Sequence, residues 1–238
     1  GAREVVLTGI NIGRYQDGGL DLAGLLDLIM AHSDVGRVRI SSIEPPDVTE
    51  RLMDAMARHG ERVAPFLHVC LQSGSDATLG RMRRAYDTAA YRRVVGHARD
   101  RMPNLSVGAD LIVGFPGETE DEFAESLAFC EEMAFSRMHV FRYSQRPGTP
   151  AATADGQVDP REMARRSRRM RALARRMRQA EAARMVGSEQ LVLVEHEGRG
   201  VTGGLFDLHL DPSVPVGSLV RARVCSVLDD ASLLGRLS

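Results

Sequence analysis

The sequence contains no lysine: all 31 of its basic residues are arginine. The base composition of a genome is enough to produce this, so the absence alone carries no functional weight. Cysteine is scarce. Cys70, Cys130 and Cys225 lie far apart, with no CxxC or CxxxCxxC spacing, which excludes a disulfide framework and a local metal site written in the sequence. Each reads as a buried thiol. No run approaches the roughly eighteen apolar residues of a membrane span, and the N-terminus lacks a basic stretch followed by an apolar core and a cleavage site. No membrane association is expected, and a cytoplasmic location is the simplest expectation. There is no Walker lysine motif, no GxGxxG after the first strand and no G-x-S-x-G elbow, so phosphate cradling and Ser/His/Asp hydrolysis are both unsupported.

What is present suits a globular protein: 238 residues, 43% apolar and 26% charged, enough for one full core and a small second domain. The net charge of −1 hides an asymmetry. Between Gly156 and Gly187 ten arginines face only Asp159, Glu162 and Glu181, a local +7 that leaves −8 for the remainder. Up to about residue 150, apolar or β-branched runs (Glu4–Thr8, Arg37–Ser42, Phe66–Leu71, Ser106–Val113, Met138–Tyr143) alternate with amphipathic stretches near 20–32, 48–59, 76–83, 88–102 and 119–134. Asp47 with Glu50 and Thr119 with Glu122 are spaced as capping boxes. Strand then helix, repeated, implies a parallel sheet, either barrel-like or doubly wound. The chain opens directly on a strand, which reads as a missing upstream part, and an open sheet edge carries an expected tendency to self-associate.

After residue 150 the pattern changes. Residues 151–158 read as a linker, and Asp159-Pro160 starts a helix to about Met185, with Met163, Met170, Leu173 and Met177 along one stripe. Gln190–Glu195, Gly204–Leu210, Ser218–Val227 and Ser232–Leu237, separated by turn residues, read as a small all-β barrel. The expected domains are therefore 1–154, 155–185 and 186–238.

Ligands of parallel βα sheets bind at the C-terminal strand ends, where the loops share one crevice. The strand ends here are Thr8-Gly9-Ile10-Asn11, Ser41-Ser42-Ile43-Glu44-Pro45, Gln72-Ser73-Gly74-Ser75, Gly114-Phe115-Pro116-Gly117-Glu118 and Tyr143-Ser144-Gln145-Arg146. All are small, polar or glycine-containing. Turn and cap chemistry explains any one of them, but together they favour a crevice for a polar, nucleoside-like ligand. His68 and His139 fall inside strands and read as core or supporting residues.

The segments EVVLTGINIGRY, RVRISSIEPPD, LHVCLQSGSDATLGRMRRAYD, GADLIVGFPGETEDEF and HVFRYSQRPGTPA closely resemble the radical SAM methylthiotransferase family, and the last fifty residues resemble a TRAM domain. SSIEP and LTGINIG are similar to the MtaB type, which methylthiolates N6-threonylcarbamoyladenosine in tRNA, more than to the MiaB type, which acts on isopentenyladenosine. The resemblance implies a partial βα barrel of the radical SAM type lacking its first strand, an arginine-rich helix and a TRAM-like β barrel. It implies S-adenosyl-L-methionine as cofactor. Thr8 and Gly9 would then lie near the methionyl amino group; Ser42, Glu44, Gln72 and Ser73 near the methionyl or ribose part; Ile112, Gly114 and Glu118 near ribose and adenine; Phe141 and Tyr143 beside the adenine. It also implies tRNA as partner, with Arg175, Arg176 and Arg178 the arginines first in line for phosphate. A solvated connector paired with acids of the βα domain is the competing reading of that helix. The family carries two 4Fe-4S clusters, held by an N-terminal domain and a CxxxCxxC loop that are absent here. No cluster or metal is expected to be ligated by this chain, no catalytic residue is assigned, and the chain by itself is expected to be inactive without the missing N-terminal half. An RNA-binding module without catalysis is the alternative.

Overall fold

β-Branched and apolar runs become strands because alternate side chains can face a layer of helices while the others face the opposite surface. The computed structural model describes residues 1–238. Its first part comprises β1 (Glu4–Leu7), a short hairpin of β2 (Gln16–Asp17) and β3 (Leu20–Asp21), α1 (Leu22–His32), β4 (Arg37–Ile40), α2 (Glu50–His59), β5 (Phe66–His68), α3 (Asp76–Arg81), α4 (Thr88–Arg101), β6 (Ser106–Val113), α5 (Glu120–Met133) and β7 (Arg137–Arg142). β1 pairs in parallel with β4, β5 with β6 and β6 with β7. Between β4 and β5 the ladder thins to two bridges, Val38 with Val63 and Ile43 with Val69.

The five parallel strands thus follow chain order without reversal. Right-handed crossovers then place every helix on one face, where Val38, Leu67, Leu111 and Val113 share a core with Leu26, Tyr91 and Phe123. The array is a partial βα barrel, and the doubly wound alternative falls away. The outer edge of β1 pairs with nothing, and Val5 and Val6 on it are exposed.

Local capping follows the sequence in one place and departs from it in another. Thr119 accepts from the Glu122 N–H at 3.2 Å while the Glu122 carboxylate accepts from the Thr119 N–H at 3.0 Å, the expected box at the start of α5. For α2 the cap is Thr49, accepting from the Leu52 N–H at 3.2 Å. Asp47 does not cap because Pro45–Asp47 winds into a 3-10 turn that spends it before the helix begins.

The second part contains α6 (Pro160–Arg184), then β8 (Glu189–His196), β9 (Arg199–Thr202), β10 (Asp207–His209), β11 (Leu219–Val227) and β12 (Leu233–Leu237), closed into a barrel of order β10-β12-β11-β8-β9. Closure removes the edges that a five-stranded sheet would expose. The expected strand at Gly204–Leu210 is shorter, because Leu205 takes a left-handed turn with φ +62°. β9, unanticipated in the sequence, supplies the missing ladder by pairing with both β8 and β10.

α6 ties the two parts together. Met170, Leu173 and Met177 enter the βα core and Ala182 enters the barrel core. A second tie closes the N-terminal ends of the strands. Arg37 is completely buried; it pairs with Glu4 and donates to the carbonyls of Leu191 at 2.7 Å and Val201 at 3.2 Å. Arg39 bonds Glu4 at 3.1 Å and donates to Gly203 O at 2.7 Å and Thr202 O at 3.3 Å. The small barrel is thereby hydrogen-bonded to the base of the larger one.

Candidate active-site crevice

The C-terminal strand ends enclose an open crevice of about 550 Å³ whose walls include Gln72, Arg84, Asp110, Ile112, Phe115, Phe141 and Tyr143. Four residues named from the sequence, Gln72, Ile112, Phe141 and Tyr143, therefore meet. Ile112 and Phe141 are register partners on β6 and β7, so they stand side by side as an apolar wall. Gln72 extends the ladder of β6, donating its N–H to Asp110 O at 2.8 Å and accepting from the Ile112 N–H at 2.9 Å, while holding φ at +68°. A left-handed glutamine costs about 1–2 kcal/mol, and such strain concentrates at ligand sites. The Tyr143 ring packs edge-on to Phe115 at 5.3 Å, and its hydroxyl is buried without a hydrogen-bond partner. Leaving that hydroxyl unpaired costs about 1–3 kcal/mol, so a polar ligand atom is what this corner lacks.

The remaining predicted residues are placed elsewhere. Thr8, Gly9 and Ser42 are exposed at the ends of β1 and β4, outside the crevice lining. Glu44 reaches the rim only through Arg84, 3.3 Å away. Ser73 is buried, with its Oγ 3.2 Å from the Ser126 hydroxyl. Gly114 has φ +76°, and a Cβ there would sit 2.2 Å from Met163 Cγ; its lack of a side chain serves the contact with α6. Glu118 is buried, accepts from the Gly114 N–H at 2.7 Å and pairs with Arg166 at 2.7 Å. Burial pushes its carboxyl above the ordinary range despite both donors. Glu118 staples the VGFPGE loop to α6, a role its sequence position did not reveal because Arg166 lies 48 residues further on.

On the concave face below the crevice, His68 Nε2 lies 3.2 Å from Asp110 Oδ1, and His139 Nδ1 lies 3.4 Å from the same oxygen. The two imidazoles therefore belong to a polar cluster at the crevice floor, not to the core. Asp110 is held below the usual carboxylate range chiefly by the adjacent His68, whereas burial pushes the neighbouring Cys70 thiol up to about 12.

The three cysteines do not fit an iron–sulfur cluster. Cys70 and Cys130 are buried and Cys225 is exposed on β11, and cluster iron needs several thiolates converging on one point. The crevice does fit S-adenosylmethionine: an apolar wall for an adenine, a strained glutamine and an orphaned hydroxyl for polar atoms.

The arginines of α6 divide. Arg165 and Arg169 pair with Glu120 of α5, Arg166 with Glu118, and Arg176 with Glu131 at 3.5 Å. Arg178 donates to Ser136 O at 3.0 Å and Leu205 O at 3.1 Å, with its guanidinium 4.3 Å over the Phe206 ring. Arg175 is exposed and lines, with Arg137, Arg171 and Arg178, an open crevice of about 450 Å³ between β7, α6 and the small barrel. Arg137 and Arg171 join this basic surface only through folding.

A chain-ordered parallel βα half-barrel with an open crevice at its strand ends is an architecture that binds its ligands at that face. The chain belongs to the radical SAM superfamily, whose family model matches residues 1–130. Coproporphyrinogen III oxidase (HemN) from Escherichia coli, described as a radical SAM enzyme, shares the fold with a TM-score of 0.58 at 19% identity, covering 74% of this chain and 40% of that one. The threonylcarbamoyladenosine tRNA methylthiotransferase MtaB of Treponema pallidum is 39% identical over 229 residues, 94% of this chain and 47% of the relative. The tRNA-2-methylthio-N(6)-dimethylallyladenosine synthase of Thermobifida fusca is 44% identical over 204 residues, 84% of this chain and 41% of the relative. The chain thus spans about half the length of these curated relatives. No helix is long and apolar enough to cross a membrane.

Proposed function

We propose that this chain is the S-adenosylmethionine-binding and RNA-facing portion of a tRNA methylthiotransferase acting in the cytoplasm. The observation that carries the reading is the convergence of Gln72, Ile112, Phe141 and Tyr143 on one crevice in a radical SAM domain. In the proposed protein, S-adenosylmethionine together with iron–sulfur clusters supplies the radical chemistry, and those clusters are held by residues other than the cysteines of this chain. The chain's own part is to hold the adenine against the wall formed by Ile112 and Phe141, satisfy the Tyr143 hydroxyl, and keep water from that apolar wall. Glu118 and Arg166 hold the loop that borders the crevice, and Arg175 with Arg137 faces RNA phosphate.

Threonylcarbamoyladenosine is the proposed target nucleoside, supported by the SSIEP and LTGINIG segments and by the MtaB relative of Treponema pallidum. The higher identity to the dimethylallyladenosine synthase of Thermobifida fusca favours the isopentenyl substrate as a second reading. An RNA-binding module without catalysis is a third, favoured by the dispersed cysteines.

Mass spectrometry of tRNA nucleosides from cells with and without the gene separates these. Selective loss of 2-methylthio-N6-threonylcarbamoyladenosine is the expected result. Loss of the isopentenyl derivative moves the substrate assignment, and no change in either contradicts methylthio transfer.

A further inference from the structure

On the floor of the concave face three potential metal ligands converge that no spacing in the sequence announces. The ligand atoms of His68, Cys70 and Asp110 all lie within 4.8 Å of one another. Cys70 lies two residues beyond His68, so both side chains fall on the same face of the extended segment. Asp110 comes from the neighbouring strand, two residues beyond Gly108, the register partner of His68.

Two details set this cluster apart from an ordinary buried polar group. Asp110 Oδ1 is buried and makes no properly aligned hydrogen bond, although His68 Nε2 approaches it to 3.2 Å. Ligand atoms about 2.0–2.1 Å from a tetrahedral zinc ion stand about 3.3–3.4 Å apart, which matches that approach without requiring hydrogen-bond alignment. The second detail is Gly108. A Cβ there would lie 3.0 Å from His68 Nδ1 and 2.8 Å from Phe66 Cζ, so the missing side chain is what lets the imidazole lie across β6 with Nε2 toward Asp110.

We propose that His68, Cys70 and Asp110 form a three-ligand site for a zinc-type transition-metal dication, with its fourth position open toward the crevice that Asp110 helps to line. The mixed nitrogen, sulfur and oxygen set suits zinc or cobalt and disfavours magnesium and calcium, which take oxygen ligands. Three protein ligands with an open position is the pattern of sites that bind a water or a ligand atom, as opposed to closed structural sites. His139 is the outer partner: its Nε2 accepts from Arg137 Nε at 3.2 Å, which leaves the proton on Nδ1, 3.4 Å from Asp110 Oδ1. An imidazole in that position orients the carboxylate toward the metal. The site stands independently of the methylthio-transfer reading.

The test uses the 238-residue chain carrying Cys225→Ser, which removes the exposed thiol. Titration with Co²⁺ under anaerobic conditions is expected to give a one-to-one complex with a sulfur-to-cobalt charge-transfer band and tetrahedral visible bands. Zn²⁺ should bleach these by competition. Cys70→Ser should abolish the charge-transfer band, while Cys130→Ser, removing the other buried thiol, should leave it intact. His68→Gln and Asp110→Asn should each weaken Co²⁺ binding by at least the about 10–100-fold typical of losing an outer-shell partner. Gly108→Ala, which displaces the imidazole while keeping all three ligands, should weaken it as well. Failure to bind Co²⁺ in a chain that is folded by circular dichroism overturns the proposal. So does a band that survives Cys70→Ser, or affinity unchanged in His68→Gln and Asp110→Asn.

Discussion

The two ends of the half-barrel are built on opposite terms. At the N-terminal strand ends the two buried guanidiniums have their acceptors: Arg37 and Arg39 share Glu4 and reach carbonyls at Leu191, Val201, Thr202 and Gly203. At the C-terminal side, Ser41 Oγ, Asp47 Oδ2, Asp110 Oδ1 and the Tyr143 hydroxyl are buried without hydrogen-bond partners. One end is satisfied from within the chain, and the other keeps polar atoms that no group of the chain occupies. In parallel βα barrels the first condition marks the stabilising face and the second the ligand face.

The largest expected effect lies at the satisfied end. Arg37→Met leaves Glu4 with Arg39 as its remaining partner and orphans the carbonyls of Leu191 and Val201, each at a cost of about 1–3 kcal/mol, read from denaturant midpoints. A loss under about 1 kcal/mol, the range of a surface pair, would place Arg37 outside the structural tie. Next comes the staple between loop and α6. Because burial holds the Glu118 carboxyl above its ordinary range, the folded state keeps that proton more tightly than the unfolded one. Its contribution to stability is therefore complete below the ordinary glutamate range and is lost as pH rises through the raised value. Glu118→Gln should flatten this stretch of the stability–pH curve, and an unchanged curve would assign the dependence elsewhere.

At the ligand end the effects should fall on binding. Tyr143→Phe removes a hydroxyl with no internal partner, so stability should hold or rise while S-adenosylhomocysteine binding weakens about 3- to 10-fold, the worth of one net hydrogen bond, measured by calorimetry. A stability loss without a binding loss would move Tyr143 to the satisfied class. The smallest effect belongs to the basic surface. Arg175→Ala should reduce the slope of log affinity for tRNA against log salt by about 0.7–0.9, the share of one phosphate contact. Arg176→Ala, whose guanidinium is paired with Glu131, should change it less.

What the sequence made legible follows from how local each determinant is. The alternation of apolar runs and amphipathic stretches, the Thr119–Glu122 box and the small polar strand ends are all encoded within a few residues, and they led to the half-barrel and its crevice. Residues whose contacts depend on a distant partner are not legible from their neighbours in the chain. Arg37–Ser42 is legible as a strand, but the burial of Arg37 and Arg39 is not, because their carbonyl acceptors arrive more than 150 residues later. Arg178 reads as a free cation, yet its partners are carbonyls of Ser136 and Leu205. Ser73, Gly114 and Glu118 border the crevice in sequence but turn toward α5 and α6 in space. The His68–Cys70–Asp110 cluster needs the β5–β6 register, which only the folded sheet supplies.

The most direct test of the contrast between the two ends is nuclear magnetic resonance mapping of S-adenosylmethionine on the isotopically labelled chain. The account predicts saturable shifts at Gln72, Ile112, Phe141 and Tyr143, with Leu191, Val201 and Gly203 at the sealed end unmoved. Shifts confined to the sealed end, or none at all in a folded sample, would contradict it.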